Sequence, residues 1–176
     1  LLPEDISVMA TAEVDDAFHA RYNVVGKTYD YRISDAPARD PFLRGRAYHA
    51  PRRISEDGLA VMRRCAALFV GKHDFSGYMS VGSKITDPVR HVSDAGVSRG
   101  EDGLLLFRVS ADGFLYNMVR IMVGTLLDCA YGRKELSDAA AALRLGERAR
   151  AGFTAPPEGL YLACVRYDRT IDWLSE

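Results

Sequence analysis

Phe114-Leu115-Tyr116-Asn117-Met118-Val119-Arg120-Ile121-Met122-Val123-Gly124-Thr125-Leu126-Leu127 is the most apolar stretch of the chain. No proline interrupts it, and its methionine and leucine content favours a helix over a strand. Apolar side chains cover most of the circumference, which predicts an interior helix ending around Gly132. One stripe at helical spacing departs from that pattern: Asn117, Arg120, Gly124 and Asp128. Arginine does not shed its charge, and a guanidinium stripped of its partner in a protein interior costs roughly 3–5 kcal/mol. Arg120 is therefore expected to meet an acid or a phosphate, with Gly124 one turn on letting that partner approach. A structural pair with Asp112 or Asp128, a helix end that reaches water, and a functional arginine each satisfy the requirement.

Working outward, Ile6 to Val14 alternates loosely and is expected to be a strand. Lys27 to Ser34 alternates better, with Tyr29, Tyr31 and Ile33 on one face and Thr28, Asp30 and Arg32 on the other. Asp40-Pro41 and Ala50-Pro51 break the next segment, leaving room for a short strand near Tyr48. Ser55-Glu56-Asp57-Gly58 has the composition of a helix start, and the helix is expected to stop at Gly71. Lys72 to Lys84 is expected to be mostly loop. Val89 to Ser98 and Leu104 to Ser110 are expected to form a hairpin. Ser137 is the expected cap of a short alanine-rich helix ending near Gly146, and Leu160 to Tyr167 is a final strand. The order β-β-α-β-β-α-α-β predicts a single α+β domain over residues 1–176, with a mostly antiparallel sheet and helices packed on one side.

The chain has 176 residues, ample for one core, and its 48% hydrophobic and 27% charged content is that of an ordinary globular protein. No apolar run approaches a membrane span. Leu-Leu-Pro-Glu-Asp at the start is not a signal peptide, and without a methionine the chain looks cut from something longer. Cys65, Cys129 and Cys164 lie far apart among apolar residues, which predicts buried thiols in a reducing compartment. His19, His49, His73 and His91 show no ligand spacing, so no metal is expected. Net charge is −1, but residues 1–20 hold five acids and no base, while residues 21–72 hold eleven bases and five acids. Arg21-Tyr22 through Arg44, Arg46, Tyr48, Arg52 and Arg53 fit a phosphate-binding face, and fit an ordinary solvated surface equally well.

Three segments line up in order with one family. They are Phe18-His19-Ala20-Arg21-Tyr22 with Gly26-Lys27-Thr28-Tyr29-Asp30-Tyr31-Arg32, then Gly113 to Gly124, then Glu158-Gly159-Leu160-Tyr161-Leu162. With Lys72-His73-Asp74-Phe75 and Asp87-Pro88-Val89-Arg90, they resemble the bacterial tRNA pseudouridine synthase A family over nearly the whole chain. The resemblance implies a pseudouridine synthase-like fold and a cofactor-free enzyme that isomerises uridine to pseudouridine in the anticodon stem-loop of tRNA. It implies a cytoplasmic homodimer that cradles tRNA across two subunits, and no membrane. By position Tyr29 matches the tyrosine that stacks on the target base, Arg120 the arginine that pairs with the attacking aspartate, and Leu160 the apolar residue beside the site. A flat π face suits a flipped-out base, and a fixed cation suits a carboxylate kept ionised in a dry pocket. Arg21, Lys27, Arg32, Arg44 and Arg46 are the expected phosphate contacts, and His19 is either an assistant or a structural histidine.

One motif is missing. The family's attacking aspartate lies in Gly-Arg-Thr-Asp-Ala-Gly-Val, upstream of everything matched here. Ser93-Asp94-Ala95-Gly96-Val97 echoes its core without the Gly-Arg-Thr and lies where the family has an ordinary strand, so Asp94 is not expected to be the nucleophile. The chain is expected to be the C-terminal portion of a synthase, inactive without that aspartate. A non-catalytic RNA-binding or assembly module of the same fold is the alternative, and an α+β domain with no RNA role is the third.

Overall fold

A computed structural model describes residues 2–80, 82 and 85–173. Strand β1 (Val24–Ser34) organises the sheet. On one side it pairs antiparallel with β5 (Leu105–Ala111), which continues antiparallel to β4 (Val89–Arg99) and then β3 (Gly71–Asp74). On its other side lie β6 (Leu160–Tyr167), antiparallel, and the two-residue β2 (Tyr48–His49), parallel. Helices α1 (Glu56–Ala67), α2 (Met118–Ala130) and α3 (Leu136–Leu145) complete the α+β fold. The alternation of β1 and β5 sends Tyr31, Ile33, Leu105, Phe107 and Val109 into the core, where α1 and α2 pack. The opposite face stays polar: Arg108 donates two hydrogen bonds to Asp30, and Thr28 pairs with Ser110.

The local signals explain the helix ends. Ser55 Oγ accepts from the Gly58 amide, with Glu56 and Asp57 in the first turn of α1. Gly146, at φ 67°, ends α3. Its start differs from expectation: Glu135 is the cap, in a reciprocal box with Asp138, and Ser137 lies inside the helix. Helix α2 is interior as its composition requires; every residue from Met118 to Cys129 except Arg120 is buried. It begins at Met118 rather than Phe114, because Asn117 adopts a left-handed φ of 60° and turns the chain into the first helical residue.

Three further expectations fail. Ile6 to Val14 forms no strand, only a single bridge at Thr11, and its apolar residues face solvent, Met9 being 83% exposed. Alternation without a neighbouring strand does not make a sheet. Gly71–Asp74, expected as loop, is recruited as an edge strand by pairing with β4; positions 81, 83 and 84 of that expected loop lie outside the described residues. Cys164 is exposed on β6, whereas Cys65 and Cys129 are buried 4.0 Å apart between α1 and α2.

One buried ion pair, not foreseen from the sequence, ties three elements together. Asp35, 4% exposed just after β1, receives both terminal guanidinium nitrogens of Arg99 at 2.9 Å and the Ile54 amide at 2.9 Å. Burial pushes the Asp35 carboxyl upward, but the Arg99 and Ile54 hydrogen bonds outweigh it and hold the carboxyl below its usual range. The stabilisation is therefore present above about pH 4 and is lost as pH falls through the depressed value. Arg99→Ala is expected to cost roughly 3 kcal/mol in urea unfolding, because it strands a buried carboxylate. Asp35→Asn is expected to flatten the acid limb of the stability profile.

Candidate active site

Tyr29 sits at the rim of the helix-covered face of β1, half-buried, two residues before the fully buried Tyr31. The Phe114 ring meets it edge-on, with centroids 5.1 Å apart and planes at 89°. The β1–β6 register sets Leu160 beside Tyr31 and Leu162 beside Tyr29. Tyr29, Phe114 and Leu160 are each partly buried and pack on the core from its edge. Leu162, opposite Tyr29, is 52% exposed.

Arg120, in the first turn of α2, is fixed by neutral partners. Its Nε donates to the Ala155 carbonyl at 2.6 Å and its Nη1 to Asn117 Oδ1 at 2.8 Å. Asn117 is held in turn by donating to Ser80 Oγ at 3.0 Å. The Ala155 amide returns a bond to the Arg120 carbonyl at 3.1 Å, so residues 152–156 run as a strap along α2. Gly124 and Gly152 make that contact: a Cβ on Gly124 would lie 1.8 Å from the Phe153 oxygen, and one on Gly152 2.4 Å from the Thr125 nitrogen. Tyr31 anchors the far end, donating to the Pro156 carbonyl at 2.6 Å. Burial first, then the nearby Tyr48 and Glu158, push the Tyr31 hydroxyl far above its ordinary range despite Arg120, so it stays a proton donor.

The two structural carboxylates that could have met Arg120 are engaged elsewhere. Asp128 pairs with Arg133 at 3.3 Å, and Asp112 accepts from the His91 amide at 3.0 Å. Among the described residues, no carboxylate lies within ion-pair distance of Arg120 and its Nη2 makes no hydrogen bond. The partner that Gly124 admits is the backbone at Phe153, not an acid. Asp94 pairs with Ser110 on the polar face of the sheet, the opposite side from Tyr29.

The expected phosphate contacts do not gather on one face. Lys27 shares the Tyr29 face of β1, while Arg32 lies on the other, its guanidinium 4.8 Å from the Tyr161 ring centroid. Arg44 and Arg46 are exposed in the connection to β2, and the Arg46 carbonyl accepts from Tyr161. His19 and Arg21 are exposed ahead of β1, where the His19 and Tyr22 rings lie 4.2 Å apart. Ser80 and the 152–156 strap were not singled out from the sequence. Gly124 and Gly152, read as a close-packing pair, were the available signal.

The fold is an α+β sheet covered by helices on one face, with the Tyr29–Phe114 pair on that face and an arginine in the first turn of α2 that is open at one edge. Residues 65–168 match the family model described as tRNA pseudouridine synthase. The tRNA pseudouridine synthase A of Acetivibrio thermocellus is 42% identical over 167 residues, covering 95% of this chain and 67% of that protein. That of Bacillus pumilus is 42% identical over 168 residues (96% and 66%), and that of Staphylococcus aureus strain Newman 40% over 167 (95% and 61%). The chain belongs to the tRNA pseudouridine synthase A family. It spans about two thirds of the length of the curated relatives it matches.

Proposed function

We propose that these residues form the base-binding half of a tRNA pseudouridine synthase that acts on uridine in the anticodon stem-loop, as a cytoplasmic homodimer. In that reaction the N1–C1′ bond breaks, the uracil turns, and a C5–C1′ bond forms. C5 loses a proton and N1 gains one, so the product is an isomer and no cofactor is consumed. Tyr29 stacks on the extruded base and stands nearest to C5; Leu160 and Phe114 keep the ring in place and exclude water. Arg120 holds the attacking carboxylate ionised in that dry setting. The observation that carries this reading is the open Nη2 edge of Arg120, with no acid among the described residues to fill it. The carboxylate comes from a segment that these residues do not include, and alone they do not complete the reaction.

The test is tritium release from tRNA labelled at uracil C5, which follows formation of the new carbon–carbon bond. A longer form carrying the family's aspartate is expected to release tritium, and the 176-residue chain is not. Tyr29→Phe is expected to retain tRNA affinity, whereas Tyr29→Leu loses about 1–3 kcal/mol of binding with the stacking face. Binding is expected to weaken with salt, and Lys27→Gln or Arg44→Gln each to lower the salt slope by about 1. Tight tRNA binding by the longer form without tritium release would favour a non-catalytic RNA-binding module, a reading that the unfilled Arg120 also admits.

A further inference from the structure

We infer that a second cleft, at the far end of β1 from Tyr29, binds one single-stranded nucleotide of the RNA; the choice of RNA as its source rests on the reading above. The cleft has a volume of about 550 Å³ and lies between the Arg39–Ala47 loop, β2 and the Pro156–Glu158 turn. That size falls within the range of small-ligand sites. The parallel β1–β2 register sets Tyr48 opposite Ile33, hence on the same face of the sheet as Tyr29. At about 3.3 Å per residue, the two tyrosines are roughly 13 Å apart along the strand.

The groups around the cleft suit a nucleotide better than a bare anion. Arg39 and Arg44 supply two guanidiniums with no ion-pair partner among the described residues. Asp40 also lines the cleft and holds its loop by accepting from the Phe42 amide at 2.9 Å through one oxygen. Glu158 leaves a carboxylate with no partner among the described residues, suited to accept from ribose hydroxyls or a base N–H. Tyr48 contributes an aromatic wall and a hydroxyl. His49 Nδ1 is the one buried side-chain nitrogen or oxygen among the described residues that lacks a hydrogen-bond partner. Successive residues of a strand face opposite sides, so this nitrogen lies across the strand from the Tyr48 ring and belongs to the packing of β2 rather than to the cleft. Two cations for a phosphate, an acid for a diol and an aromatic ring for a base are the complement of one nucleotide. Pro156 lines this cleft, and its carbonyl holds Tyr31, so the cleft borders the strap that fixes Arg120.

The experiment is amide chemical-shift titration of the 176-residue chain with uridine 5′-monophosphate, uridine, inorganic phosphate and a short single-stranded oligoribonucleotide. The monophosphate is expected to move the amides of Arg44, Tyr48 and His49, with uridine and phosphate each binding at least about tenfold more weakly. Arg39→Gln with Arg44→Gln, both exposed positions, is expected to weaken the monophosphate and the oligonucleotide about tenfold without changing urea unfolding. Tyr29→Leu is expected to leave the monophosphate-induced shifts of Arg44, Tyr48 and His49 unchanged. Shifts confined to Tyr29, Phe114 and Arg120, phosphate binding as tight as the monophosphate, or indifference to the double substitution would overturn the assignment. Oligonucleotide binding untouched by the double substitution would overturn the RNA source. Failure of tritium release with the monophosphate still bound would strike the functional reading and leave this cleft standing.

Discussion

Gly124→Ala is expected to destabilise the chain by about 3 kcal/mol in urea unfolding, although alanine is the better helix former by about 1 kcal/mol. The sign follows from what the added methyl meets. It would lie 1.8 Å from the Phe153 oxygen and 2.7 Å from its carbonyl carbon, both backbone atoms that no rotamer change moves aside. The strap must lift off α2, and the Gly152 amide then loses its 2.8 Å bond to Thr125 Oγ1. The Ala155 contacts that fix Arg120 lie two residues further on, so the same methyl disorders the guanidinium. Gly96→Ala is the control: nothing lies within 4 Å of the added methyl, and its effect is expected within about 0.5 kcal/mol. A Gly124→Ala variant as stable as the parent would show that the strap does not seat on the helix.

Arg120→Ala, made in a longer form of the protein that carries the attacking carboxylate, is expected to slow tritium release by about 10²–10³-fold, the usual cost of removing one preorganised electrostatic partner. Arg120→Lys is expected to be nearly as damaging. A lysine ammonium is a point charge on a flexible stem, whereas the guanidinium spans Ala155 and Asn117 while leaving Nη2 for an acid. Affinity for tRNA is expected to change little in either variant, because the proposed partner of Arg120 is the carboxylate rather than the phosphate backbone. A loss confined to affinity, with the rate of bound tRNA intact, would reassign Arg120 to RNA binding.

Patterns that depend on one element were legible in the sequence; those that depend on where elements meet were not. The period of Tyr29, Tyr31 and Ile33 announced both the strand and its buried face, and Ser55 announced the start of α1. The apolar run around Arg120 announced an interior helix, and the lone charge in it marked a special position. That Arg120 would be held by a carbonyl and an asparagine, rather than by Asp112 or Asp128, depended on the strap lying against two glycines 28 residues apart. The weak alternation of Ile6 to Val14 misled because a strand is stabilised by its neighbours. Gly71 to Asp74 lacked a strand pattern and became one because β4 offered an edge. The roles of Tyr29, Arg120 and Leu160 came from the resemblance, while their physical setting came from the fold.

The most direct measurement is a crystal structure of a longer form of the protein, including the segments of its relatives that this chain does not span. An aspartate oxygen from those segments is expected about 2.7–2.9 Å from Arg120 Nη2, beside the Tyr29 ring, with the Ala155 and Asn117 bonds unchanged. An Arg120 side chain that turns to bulk solvent there, or pairs with Asp112 or Asp128 instead, would contradict that expectation.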